Sequence, residues 1–207
     1  MTEEEAKAAL GVPRETLARL SSFASLLGAE NERQNLVSRG TMEAVWSRHI
    51  YDSAQLLRFA PESGTWLDLG TGAGFPGLVI ATLWPGQVTL LEARRLRVEF
   101  LRQGAKLLGV TDRTKLLCSK LETLAPRPFD VISARAFAPL DKLLRLALPF
   151  SRDDTVWLLP KGRTAQSELD AARSSWQGDF RVEPSLTDAE AGIIVARGVK
   201  PKRKKGR

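Results

Sequence analysis

The apolar positions of the chain follow two different periods, and the change between them falls near Gly64. From Pro13, Leu17, Leu20, Phe23, Ala24 and Leu27 recur at helical spacing, with Pro in the first turn and Gly28 as a stop signal. A second helical stretch is expected after Thr41 as N-cap. It runs through Val45, Trp46, Ile50, Ala54 and Leu57 to the turn at Pro61–Gly64. Beyond that turn, short apolar runs alternate with amphipathic segments, the pattern of a mostly parallel sheet covered on both faces. Strands are predicted at Thr65–Leu69, Gln87–Glu92, Thr114–Cys118, Phe129–Ser133, Thr155–Leu159, Phe180–Glu183 and Gly192–Ala196. Helices are predicted at Pro76–Leu83, Arg94–Leu108, Leu140–Leu148 and Ala165–Trp176. Only the last two strands lack room for a helix between them, so they should pair antiparallel.

The organisation that follows is an α/β fold with three parts: a helical N-terminal extension (1–63), a ligand-binding α/β domain (64–199) and a basic tail (200–207). Two hundred and seven residues suffice for a core that needs no disulfide or structural metal. One cysteine, Cys118, and one histidine, His49, cannot supply a Cys/His metal cluster. Cys118, inside an apolar strand, is expected to be an inert core residue, and the five tryptophans to serve packing. The acidic start MTEEEAKAAL is unlike a secretory leader and no apolar run is long enough for a membrane span, so a cytoplasmic protein is expected. Charge changes the picture further. The formal +7 points to a polyanionic partner, with cations in the terminal VKPKRKKGR, at Arg94, Arg95 and Arg97, and at Arg33, Arg39 and Arg48.

The chemistry concentrates in Thr65-Trp-Leu-Asp-Leu-Gly-Thr-Gly-Ala-Gly-Phe-Pro-Gly77, a strand, a glycine loop and a helix start. Such a unit places a ligand at the carboxyl edge of the sheet. Gly72-x-Gly74-x-x-Gly77 matches the dinucleotide fingerprint literally, with Glu92 at the distance of a ribose-binding acid. Asp68, just before the loop, would oppose a pyrophosphate. S-adenosylmethionine carries a sulfonium, an amino group and a ribose but no phosphate, and it suits acids at Asp68 and Glu92.

These residues resemble the class I S-adenosylmethionine-dependent methyltransferases. Asn35-Leu-Val, Arg48-His-Ile-Tyr-Asp-Ser53, Ser133-Ala-Arg-Ala-Phe-Ala138 and Pro160-Lys-Gly162, together with the loop, resemble one family within them. That family is the bacterial small-subunit ribosomal RNA guanine-N7 methyltransferases of the RsmG/GidB type. The resemblance implies a Rossmann-like seven-stranded sheet with the last strand antiparallel. To Asp68, Gly72 and Gly74, assigned to the cofactor from the loop itself, it adds Gly70 and Phe75 lining the site, with Glu92 on the ribose, Leu121 and Glu122 at the adenine, and Arg135 where cofactor and target meet. The implied target is guanine 527 of 16S ribosomal RNA, free or in the 30S subunit; a monomer is the default expectation from the fold, and no metal is expected from the single cysteine and histidine. Guanine N7 carries a lone pair and no proton, so direct transfer needs no general base. His49, Asp52 and Ser53 share a helix face at i, i+3 and i+4. His49 is thus either a structural residue or a substrate contact, and Lys161 either a phosphate contact or part of a solvated turn. A dehydrogenase and a catalytically silent RNA-binding module are the competing readings.

Overall fold

The computed structural model describes residues 1–202 and contains seven strands in one sheet, ordered β3-β2-β1-β4-β5-β7-β6. The strands are β1 Thr65–Leu69, β2 Gln87–Glu92, β3 Thr114–Cys118, β4 Val131–Ala134, β5 Val156–Gly162, β6 Trp176–Pro184 and β7 Gly192–Pro201. Neighbouring strands from β3 through β5 pair parallel, and β7 runs antiparallel to both β5 and β6. Every predicted strand is present. The helices of the sheet layer are α5 Gly77–Leu83, α6 Arg95–Leu108, α7 Leu140–Ala147 and α8 Ala165–Ala172, and α1 to α4 precede β1.

The first 63 residues are Glu3–Ala9 (α1), Arg14–Gln34 (α2), Arg39–Met42 (α3), a π-helical turn at Trp46–Tyr51, Asp52–Ala54 (α4) and a 3₁₀ turn at Gln55–Phe59. They form no separate core. Leu20, Phe23, Leu27, Trp46 and Ile50 pack in one buried cluster with Trp66 and Leu90 of the sheet. Phe23 lies edge-on to Phe75 of the glycine loop at 5.8 Å between ring centres, and 5.9 Å from Phe100 of α6. The approach is close because Gly104 has no side chain; a Cβ there would stand 2.9 Å from Phe23.

Several boundaries differ from the sequence expectation. Gly28 does not stop α2: the buried stripe of Leu20, Phe23, Ala24 and Leu27 continues past it to Asn31. The helix ends at Asn35, in the left-handed conformation at φ 48°. Ser38, not Thr41, is the N-cap, its Oγ accepting from the Thr41 amide. Trp176 begins β6 instead of ending α8, buried and donating its indole N–H to Asp141 at 2.8 Å. Lys200 and Pro201 belong to β7 with Val199 buried, so the proposed tail begins later than residue 200, and Arg203–Arg207 lie outside the described residues. Cys118 is exposed, since β3 is an edge strand and its last side chain has no layer above it.

Candidate cofactor and acceptor site

The glycine loop is organised by a fully buried carboxylate. Asp68, the next-to-last residue of β1, has no exposed surface. It accepts a hydrogen bond from Ser133 Oγ at 2.6 Å, one from the Gly77 amide at 3.0 Å, and one from Thr71 Oγ1. Ser133 in turn accepts from the Trp66 indole at 2.8 Å, so β1, β4 and the first turn of α5 are joined through one side chain. Burial pushes the Asp68 carboxyl above its usual range, and the three donors pull it back. The sequence reading placed Asp68 against the cofactor; the structure places it behind the loop, holding its shape.

Glu92 does the same from β2. Its carboxylate accepts from the Gly72 amide at 3.1 Å and the Arg94 amide at 2.9 Å, and Arg97 stands 3.8 Å away. The amides of Gly70 and Thr71 donate to the Leu91 carbonyl, and those of Gly74 and Phe75 to the Thr71 carbonyl. The loop amides that would cradle a pyrophosphate are therefore taken by the chain itself. A dinucleotide site depends on such amides being free at a helix N-terminus. This donor set instead suits a phosphate-free ligand.

Beside the loop lies a cavity of about 410 Å³ lined by Gly70, Glu92, Leu121 and Glu122, with Phe137 and Arg97 on its walls. Four of the expected cofactor residues thus meet in one place. Gly70, at φ +66°, is required there: a Cβ would stand 2.7 Å from the Phe137 ring and fill the floor. Gly72, Gly74 and Phe75 do not line this cavity. Phe75 is buried instead, edge-on to Phe23 and stacked on the His49 ring at 4.9 Å. Arg97, Phe137 and Lys120 were not singled out for this wall by the sequence; their positions just after strands or in the SxRAFA segment were the available signal.

Arg135 leaves the end of β4 in the other direction. Its guanidinium donates to the Arg48 carbonyl at 3.2 Å, to Asp52 at 3.4 Å and to His49 Nδ1 at 3.0 Å, and lies over the Phe75 ring. Burial lowers the Arg135 pKa while Asp52 and Asp68 raise it. His49 is lowered to about 3, first by burial and then by Arg135 and Arg48, so it is neutral at physiological pH. Its Nε2 is buried without a partner among the described residues. Ser53 shares the face but turns inward, donating to the His49 carbonyl at 2.6 Å.

Ala136, the next residue, has φ 52°, uncommon for a residue with a side chain, and it lines three adjoining cavities. The middle one, about 480 Å³, runs from Arg135 and Phe137 to Pro160 and Gly162. Lys161 borders it, but its ammonium is engaged by the Ala138 carbonyl at 2.7 Å and by Glu168 at 2.9 Å, its side chain 9% exposed. That lysine braces two loops, and its charge is already neutralised.

Fold and loop together define a class I S-adenosylmethionine-dependent methyltransferase. Solved structures at low identity share the architecture: a Bacillus cereus O-methyltransferase in complex with SAH (TM-score 0.61, 17% identity, 87% of this chain and 90% of that one) and a TehB-like methyltransferase from Corynebacterium glutamicum (TM-score 0.59, 17% identity, 83% and 98%). The family model for rRNA small subunit methyltransferase G matches residues 16–194, and the chain belongs to that family. Ribosomal RNA small subunit methyltransferase G of Rhizorhabdus wittichii is 54% identical over all of this chain and 99% of its own length. The protein of that name from Zymomonas mobilis is 49% identical, over 99% of this chain and 98% of its own length. The chain is thus a methyltransferase and its cofactor is S-adenosylmethionine. Among the described residues, no helix is long and apolar enough to cross a membrane, and no cluster of three potential metal ligands occurs.

Proposed function

We propose that this protein methylates N7 of a guanine in 16S ribosomal RNA, the guanine at nucleotide 527, by direct in-line transfer. The observation that carries this reading is the cavity lined by Gly70, Glu92, Leu121 and Glu122, beside a loop whose amides the chain itself occupies and next to the Arg135–Phe137 edge, in a chain whose residues 16–194 match rRNA small subunit methyltransferase G. When bound, S-adenosylmethionine supplies an electrophilic methyl group. Glu92 holds the ribose, Leu121 and Glu122 border the adenine, and Gly70 leaves room for close approach. Asp68, Gly72 and Gly74 keep the loop in shape for that contact, and Phe75 anchors it by packing on Phe23 and His49.

The acceptor edge needs alignment more than proton transfer. N7 has no proton to lose, and His49, neutral and accepting from Arg135, is suited to positioning. Positive charge develops on the purine as the methyl moves. Asp52, ion-paired with Arg135, offsets the arginine charge beside that purine. Holding the reacting groups in line accounts for roughly 7–11 kcal/mol of barrier in well-oriented systems. The cytoplasmic location and monomeric state expected from the sequence belong to the same proposal.

The test is transfer of radiolabelled methyl from S-adenosylmethionine to 16S RNA and to 30S particles from cells lacking the endogenous enzyme. Label recovered as 7-methylguanosine at nucleotide 527 is the expected result. Absence of label on both substrates, with cofactor binding demonstrated, overturns the reading in favour of another acceptor or a silent RNA-binding module.

A further inference from the structure

The third cavity that Ala136 lines lies on the far side of Arg135 from the acceptor cavity and is bordered by His49 and Asp52. It occupies about 380 Å³ between the N-terminal helices and the segment joining β6 to β7. That volume falls within the range of small-molecule sites, about 300–1,000 Å³. Its apolar lining comes from separate elements: Leu36 and Val37 after α2, Pro160 of β5 and Ile193 of β7. The polar side chains come in pairs of opposite sign. Arg48 donates to Asp188 at 2.8 Å, and Arg135 pairs with Asp52 at 3.4 Å. Asp52 also accepts from Thr187 at 2.7 Å and Gln55 at 2.8 Å.

Charge decides what such a slot can take. A phosphate site presents uncompensated cations, whereas here two arginines meet two aspartates and the histidine is uncharged. A slot with no net charge, apolar walls and both donors and acceptors on its rim fits a neutral heterocycle with a polar edge. Position decides which heterocycle. The middle cavity shares Ala136, Phe137 and Ala138 with the cofactor cavity, while this one shares Ala136 alone. The acceptor guanine therefore belongs in the middle cavity, and the outer one lies a step further along the same edge. An extruded guanine leaves its neighbours unstacked, and RNA is commonly read through splayed bases held in protein slots.

We propose that this outer cavity is a second base slot that holds the nucleotide adjacent to the methyl acceptor. The inference rests on the ribosomal RNA reading above.

The experiment fills the slot from two separate segments with Ala191→Phe and, separately, Val37→Phe. Each protein is titrated with a 16S RNA fragment carrying 2-aminopurine next to the target guanine, and cofactor affinity reports folding. A base taken from its stack into the slot raises 2-aminopurine fluorescence in the wild-type protein. Both variants should lose that rise and show an RNA KM about tenfold higher, equivalent to about 1.4 kcal/mol for losing one held base. Cofactor affinity and kcat at saturating RNA should stay within about twofold. Unchanged RNA KM and fluorescence in a variant that binds cofactor normally would overturn the slot. A loss confined to kcat would overturn its assignment to the neighbour and make it the acceptor's own pocket. The fluorescence titration needs no methyl transfer. A wild-type protein that binds this RNA without methylating it would therefore remove the proposed reaction while the slot is still judged separately.

Discussion

At the scale of single residues, the site rests on Arg135 being held by three acceptors on one helical turn, the Arg48 carbonyl, His49 Nδ1 and Asp52. Lysine retains the charge but not the planar fork that makes these bonds together. Arg135→Lys should lower kcat/KM for RNA about 10- to 100-fold, the loss expected for one or two charge-assisted bonds. Unchanged methylation and unchanged cofactor affinity would eliminate the assignment. His49 allows a second test because it is depressed to about 3 against an ordinary value near 6.5. In that window the unfolded chain binds the proton and the folded one does not. Its contribution is therefore complete above pH 6.5 and is lost as pH falls, by about 1.4 kcal/mol per pH unit. Asp68, raised by burial, acts in the opposite sense, so the comparison must be between wild type and His49→Gln. Urea denaturation from pH 4.5 to 6.5 should give a shallower pH dependence for the variant. Of this cluster, the sequence singled out His49, Asp52 and Arg135, since all three fall in motifs. It could not show that they meet, because 83 residues separate Asp52 from Arg135 and only the fold closes that distance.

At the scale of elements, the strands were legible because β-branched and apolar runs bounded by turn residues mark them wherever the sheet is buried on both faces. The misreadings occur where another interaction overrides local pattern. Trp176 continues the apolar spacing of α8, yet it pairs with β7 and its indole is claimed by Asp141. The second helical stretch looked like one amphipathic helix, but it contains the π turn that presents Arg48 and His49. Such turns are frequent at functional sites. Its start is capped from far away. Glu3 of α1 accepts from the Trp46 and Ser47 amides and from Ser47 Oγ, each at 2.9 Å. No sequence rule for caps reaches across more than forty residues. Glu3→Ala should cost about 1–2 kcal/mol in thermal or chemical denaturation, the usual worth of a lost cap. It should also weaken RNA turnover more than cofactor binding, since the turn carries the groups that hold Arg135. Equal losses in both would mean that Glu3 stabilises the whole core without aiming the turn.

At the scale of the molecule, the basic surplus is divided between charges the fold has already used and charges left for a partner. Arg48, Arg135, Arg152 and Lys161 all face carboxylates, and Lys200, read from sequence as tail, pairs with Asp153 at 2.7 Å. Arg94 and Arg95, by contrast, are exposed beside the cofactor cavity without an ion pair among the described residues. Composition cannot make that division, because a paired arginine and a free one count alike. The run Arg203, Lys204, Lys205 and Arg207 is the remaining concentration of cations in the sequence. Each that contacts a phosphate releases counterions and steepens the fall of affinity with salt, by about 0.7 in log–log slope on single strands. A protein ending at Lys202 keeps β7 whole and should bind S-adenosylmethionine as before. Its RNA affinity should fall at low salt, and the magnitude of its salt slope should drop by up to about 3 when all four cations make contact. Binding titrations from about 50 to 200 mM salt read that slope directly. A slope equal to that of the full chain would assign the terminal charges to solubility and leave the unpaired arginines around the cavity to carry the electrostatic part of RNA binding.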